Sequence, residues 1–108
     1  MSLQALEKIT LLDGATTTGA GSASNVQRSK GWTFTIVSTA VTAGATVDIE
    51  YYLSESGAWH VFHSETVTAD GSVTIRDDHG HYEKLRANVS SRTDGTYSVY
   101  ALGTVQSV

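Results

Sequence analysis

Tyr82-Glu83-Lys84-Leu85-Arg86-Ala87-Asn88-Val89-Ser90-Ser91-Arg92-Thr93-Asp94-Gly95-Thr96-Tyr97-Ser98-Val99-Tyr100-Ala101-Leu102-Gly103 decides the fold class of this chain. Leu85, Ala87 and Val89 alternate with Lys84, Arg86 and Asn88, and Tyr97, Val99 and Ala101 resume the alternation beyond Asp94-Gly95. A period of two is that of a strand with one buried face, because successive side chains of an extended chain leave on opposite sides. Asp-Gly between two such runs reads as the turn of a β-hairpin, with an odd-length loop if Val89 is to share a face with Tyr97.

The same signature recurs upstream. Trp32, Phe34 and Ile36 alternate with Thr33 and Thr35, and Val47, Ile49, Tyr51 and Leu53 alternate with Asp48, Glu50 and Tyr52, with Ala43-Gly44-Ala45 as the turn between them. After Ser54-Glu55-Ser56-Gly57, Trp59 and Val61 face one side and His60 and Phe62 the other, so this strand is expected to be covered on both faces. A second hairpin is expected around Asp70-Gly71; pairing Val67 with Val73 requires the three-residue loop Ala69-Asp70-Gly71, with positive φ at Gly71 as part of a bulge. Seven to eight short strands at this spacing predict an all-β antiparallel sandwich or jelly roll.

The chain has 108 residues, enough for one two-layer core and no second domain. Residues 1–24 are expected to form an N-terminal arm and a flexible Gly/Ser/Thr-rich segment, with the sandwich spanning residues 25–108. Gly14 to Ser24 has no large apolar side chain to offset the entropy of ordering it, and Ile9 to Leu12 is either extended arm or a first strand. The absence of cysteine leaves stability to apolar packing and backbone ladders. A net charge of -4 with scattered Lys and Arg argues against nucleic acid as a partner. No apolar run approaches the about 20 residues of a membrane span, and no secretion signal is apparent at the N-terminus.

Chemistry-bearing groups are sparse. Asp77, His79 and His81 form the one crowded set of metal-ligand types, but Gly80 marks a turn and no fourth ligand is fixed by spacing, so no metal or cofactor is expected. Asp48 and Glu50 share the polar face of one strand, where an exposed carboxylate pair is the simpler reading than acid-base machinery. No Gly-x-Ser-x-Gly elbow or phosphate loop is present, and no catalytic residue is named; the chain is expected not to be an enzyme. Trp32, Tyr51 and Tyr97 fall on apolar faces as core residues, whereas Tyr52 and Tyr100 fall on polar faces, where aromatic rings can stack on sugars. Trp59 either plugs the core or anchors a partner.

Gly57-Ala58-Trp59-His60-Val61, Val67-Thr68-Ala69-Asp70-Gly71 and the run from Tyr82 to Gly103 together make residues 17–103 resemble the small β-sandwich structural proteins of tailed bacteriophage particles, of the head-decoration or cement type. The resemblance implies a non-enzymatic virion component, commonly a homotrimer, sitting on an assembled shell of major capsid protein and assembled in the bacterial cytoplasm. A tail or baseplate position and a carbohydrate-binding module are the alternatives. The expected partner contacts are Leu3, Leu6 and Ile9 in the arm, and Trp59.

Overall fold

A computed structural model describes residues 6–105. The chain forms β1 (Leu6–Ala15), β2 (Gly19–Ala20), β3 (Ser24–Asn25), β4 (Ser29–Thr39), β5 (Ala45–Leu53), β6 (Ala58–Val67), β7 (Gly71–Asp77), β8 (Lys84–Arg92) and β9 (Thr96–Val105). One sheet, A, has the order β1-β9-β4-β7; the other, B, has the order β2-β8-β5-β6, with β3 also pairing β8. All pairs are antiparallel. The short β2 and β3 act as one interrupted strand along β8, and the order is that of a jelly roll. Among consecutive strands from β4 onward only β5 and β6 pair directly; the other connections pass from one sheet to the other.

The expected hairpin from Tyr82 to Gly103 is therefore corrected. β8 pairs with β5 in sheet B and β9 with β1 and β4 in sheet A, so Asp94-Gly95 carries the chain between layers rather than around a sheet edge. Both runs still alternate because each faces the core, from opposite sides: Leu85, Ala87, Val89, Tyr97 and Val99 are all buried. The hairpin expected at Asp70-Gly71 is corrected in the same way, since β6 belongs to sheet B and β7 to sheet A. Gly71 does have positive φ, 145°, but in an interlayer connection and not in a hairpin bulge.

Polar side chains hold these crossings together at one end of the sandwich. Asp70 accepts the Val41 N–H at 2.7 Å, and Asp94 accepts the N–H groups of Thr42, Ala43 and Gly44, so two crossing loops clamp the third. These bonds satisfy amides that no ladder reaches.

The core between the layers is Trp32, Phe34 and Ile36 of β4 and Tyr97 and Val99 of β9 against Val47, Ile49, Leu85 and Val89. Burying each large side chain contributes about 1.5–3 kcal/mol. Leu11 and Leu12 belong to the same core, at 1 % and 7 % exposure. Residues 6–15 thus form an outer strand of sheet A where an arm was expected.

Candidate functional site

Three features of the molecular surface follow from this architecture. The first is the outward side of sheet B. Register places Tyr52 beside Trp59 and Lys84, Glu50 beside Val61 and Arg86, and Asp48 beside Ser64 and Asn88. A register shift between Ile49 and Glu50 absorbs one extra residue in β6, so Phe62 packs inward while Val61 and Ser64 stay outward. Arg86 lies across β5: its Nε donates to Glu50 Oε1 at 2.6 Å and its guanidinium sits 4.2 Å from the Trp59 ring centre. Asn88 Nδ2 donates to the second Glu50 oxygen at 3.4 Å, Tyr52 meets Trp59 edge-on at 5.4 Å, and Lys84 lies over Tyr52 at 5.0 Å.

Asp48 and Glu50 depart from the exposed pair expected of them. They are 8 % and 6 % exposed, Asp48 accepting the Ser64 hydroxyl at 2.5 Å and Glu50 covered by Arg86. Each carboxylate is engaged by its neighbours, which suits a fixed polar layer.

The second feature is the outward side of sheet A. Leu6, Tyr100 and Leu102 are 56 %, 43 % and 37 % exposed on β1 and β9, with Lys8 opposite Leu102 and Thr33 on its other flank. A shallow depression of about 340 Å3 lies between Lys8, Thr33, Thr35 and Tyr100, with no carboxylate in its lining among the described residues. Lys30 and Arg76 border the adjoining hollow, Arg76 in an exposed pair with Asp78.

The third is a cleft of about 510 Å3 at the end of the sandwich away from the Asp94 clamp, between the β5–β6 turn and the start of β8. Tyr51, Phe62 and Tyr82 line it with Glu55, His81 and Glu83. Tyr82 stands 5.3 Å from Tyr51 and 6.0 Å from Phe62, the latter nearly edge-to-face. Its hydroxyl donates to Asp77, and burial followed by that carboxylate pushes its pKa well above the ordinary tyrosine value. Glu83 accepts the Ser54 N–H at 2.7 Å and its hydroxyl at 2.8 Å; the backbone bond first, then the side-chain bond, hold its pKa below the ordinary range.

The expected contact residues distribute unevenly over these features. Leu6 falls in the sheet A patch and Trp59 in the sheet B row; Ile9 turns toward the core, and Leu3 lies outside the described residues. Tyr100, expected on a polar face, and Leu102, which no expectation named, complete the Leu6 patch; both occupy the polar phase of the β9 alternation. His79 and His81 lie beyond β7 in a loop, not on a strand, and His81 Nε2 contacts the Gln27 carbonyl oxygen at 2.7 Å.

No family model and no curated protein sequence matches the chain. Its fold is shared with solved structures. The SPBc2 prophage-derived protein YomS superposes with a TM-score of 0.72 at 15% identity, over 96% of both chains. A protein of infectious bursal disease virus, Gx strain, gives 0.53 at 13% identity, over 97% of this chain and 33% of that one. A family 29 carbohydrate-binding module gives 0.51 at 12% identity, over 93% and 89%. At such identities the likeness is one of fold: a small β-sandwich domain of a kind found in phage-derived, viral and carbohydrate-binding proteins.

Proposed function

We propose that the chain is a non-enzymatic structural component of a tailed-phage particle, docking through the outward side of sheet A as a decoration or cement protein on the shell. The observation that carries this reading is the Leu6, Tyr100 and Leu102 patch: adjacent exposed apolar groups on two paired strands of a rigid slab, bordered by Lys8, Lys30 and Arg76. Large apolar side chains gathered on a solvent-facing sheet mark contact surfaces. The end-to-end fold match to a prophage-derived protein supports the setting. Repetition over a shell would let modest contacts add, and a homotrimer would cover the outer edges of β6 and β7.

Mass spectrometry and electron microscopy of purified particles from the phage that encodes the chain test this. Density for the jelly roll on the shell is expected, with sheet A toward the major capsid protein. Density at the tail or baseplate would move the protein there, and its absence from the particle would overturn the reading.

A second reading, carbohydrate binding, is favoured by the outward row of Tyr52 and Trp59 beside the hydrogen-bonding groups of Arg86, Glu50 and Asn88. Aromatic faces next to fixed polar groups hold sugar rings. It ranks second because the Arg86 guanidinium already occupies one face of the Trp59 ring. A glycan array comparing the protein with Trp59→Ala decides it: binding lost in a folded variant supports this reading, and no glycan bound by the parent protein refutes it.

A further inference from the structure

We infer that the cleft at the end of the sandwich, lined by Tyr51, Phe62 and Tyr82 with Glu55 and Glu83, binds an organic ammonium group. This goes beyond a structural role and involves neither the sheet A patch nor Trp59. The cleft is about 510 Å3, room for a small ligand, and no Lys or Arg belongs to its lining among the described residues. Its walls are chiefly the rings of Tyr51, Tyr52, Phe62 and Tyr82, with Leu53 and His81 beside them. Phe62 meets Tyr82 at 62° and Tyr51 meets it at 34°, so these rings do not cover one another face to face.

Aromatic faces carry negative quadrupole density and attract cations within about 6 Å, most strongly the weakly hydrated quaternary and substituted ammonium groups. Two carboxylates at the same cleft supply the complementary charge. Glu83 is fixed by both Ser54 donors and stays ionised near neutral pH, whereas Glu55 makes no hydrogen bond among the described residues and is free to meet a ligand. An anionic ligand would meet like charge here, and a purely apolar one would leave both carboxylates without a charge partner.

The test is a titration of the isotope-labelled full chain followed by NMR, with choline chloride replacing sodium chloride at constant ionic strength. Saturable shifts confined to Tyr51, Phe62, Tyr82 and the β5–β6 turn are expected. The uncharged isostere 3,3-dimethyl-1-butanol should bind about tenfold more weakly or not at all. Glu55→Gln, which removes a charge but no structural bond, should weaken choline binding severalfold; Phe62→Leu should do the same with well-dispersed spectra. Glucosamine tested against glucose separates an amine carried on a sugar from a free ammonium ion: a response to glucosamine alone supports ammonium recognition and extends it to amino sugars. The inference is overturned by unshifted spectra with choline and glucosamine, by equal binding of the butanol, by equal responses to glucose and glucosamine, or by undiminished affinity in Glu55→Gln.

Discussion

Asp94 accepts the Gly44 N–H at 2.9 Å across the gap between two interlayer connections, and the same carboxylate takes the N–H groups of Ala43 and Thr42. These backbone bonds, Gly44 first, then Ala43 and Thr42, lower the Asp94 pKa in the folded protein. A carboxylate with a depressed folded pKa stabilises the fold above its unfolded value of about 3.9 and loses that contribution as pH falls through the folded value. The Tm of Asp94→Asn should therefore lie below that of the parent by a constant amount between pH 5 and 8, with the gap closing as pH drops below about 4. Thermal scans by circular dichroism at stepped pH check this. A gap independent of pH down to about 2 would show that the charge of Asp94 has no part in the clamp.

That clamp also explains what the sequence could not tell. Asp70-Gly71 and Asp94-Gly95 are strong local turn signals, and the turns exist, with positive φ at both glycines. Alternation reports which side chains are buried, and residues facing one core from two sheets alternate just as residues on one sheet do. Leu85 to Val89 and Tyr97 to Ala101 were therefore legible as core, but not the strands they pair with. Pairing is set by long-range contacts such as Asp94 to Gly44, fifty positions apart. The surface features divide on the same ground. Tyr52 was legible as an outward aromatic, whereas the outward position of Trp59, Arg86 reaching across β5 to it, and Glu83 sharing a cleft with Phe62 depend on strand order.

Gly103 in β9 owes its identity to Trp32 in β4. A Cβ added there would stand 2.7 Å from Cζ3 of the indole, and the ring is 2 % exposed and stacked on Phe34 at 6.1 Å, so it has little room to yield. Gly103→Ala should cost about 1–3 kcal/mol, the usual penalty for overpacking a core. Urea unfolding measures it; a stability equal to or above the parent's would mean that the indole can shift.

β1 makes a contrasting prediction about the N-terminal region. Leu11 is 1 % exposed in the central core, and β1 pairs with β9 from Leu6 to Ala15. Leu11→Ala should destabilise by about 2–5 kcal/mol, a large share of the about 5–15 kcal/mol available to a domain of this size. Deleting residues 2–12 should accordingly abolish the cooperative thermal transition instead of detaching a dispensable arm. A truncated chain that melts cooperatively near the parent Tm would show that the rest of the jelly roll closes without this strand.

The outward side of sheet A can be altered without touching the core, which separates binding from folding. Tyr100 and Leu102 project from β9 into solvent, and the inward residues between and beside them, Ala101 and Val99, hold the strand in place. Exposed substitutions of this kind usually change stability by no more than about 0.5 kcal/mol each, whereas loss of a central contact residue from an interface costs more than about 1 kcal/mol of binding. Tyr100→Ser with Leu102→Ser should leave the melting curve nearly unchanged while reducing incorporation into particles about tenfold or more. Trp59→Ala, on the opposite sheet, should leave incorporation intact. Because the two variants alter opposite faces of one slab, the pattern reports direction as well as strength: loss with Trp59→Ala alone would turn the molecule over and make sheet B the docking side.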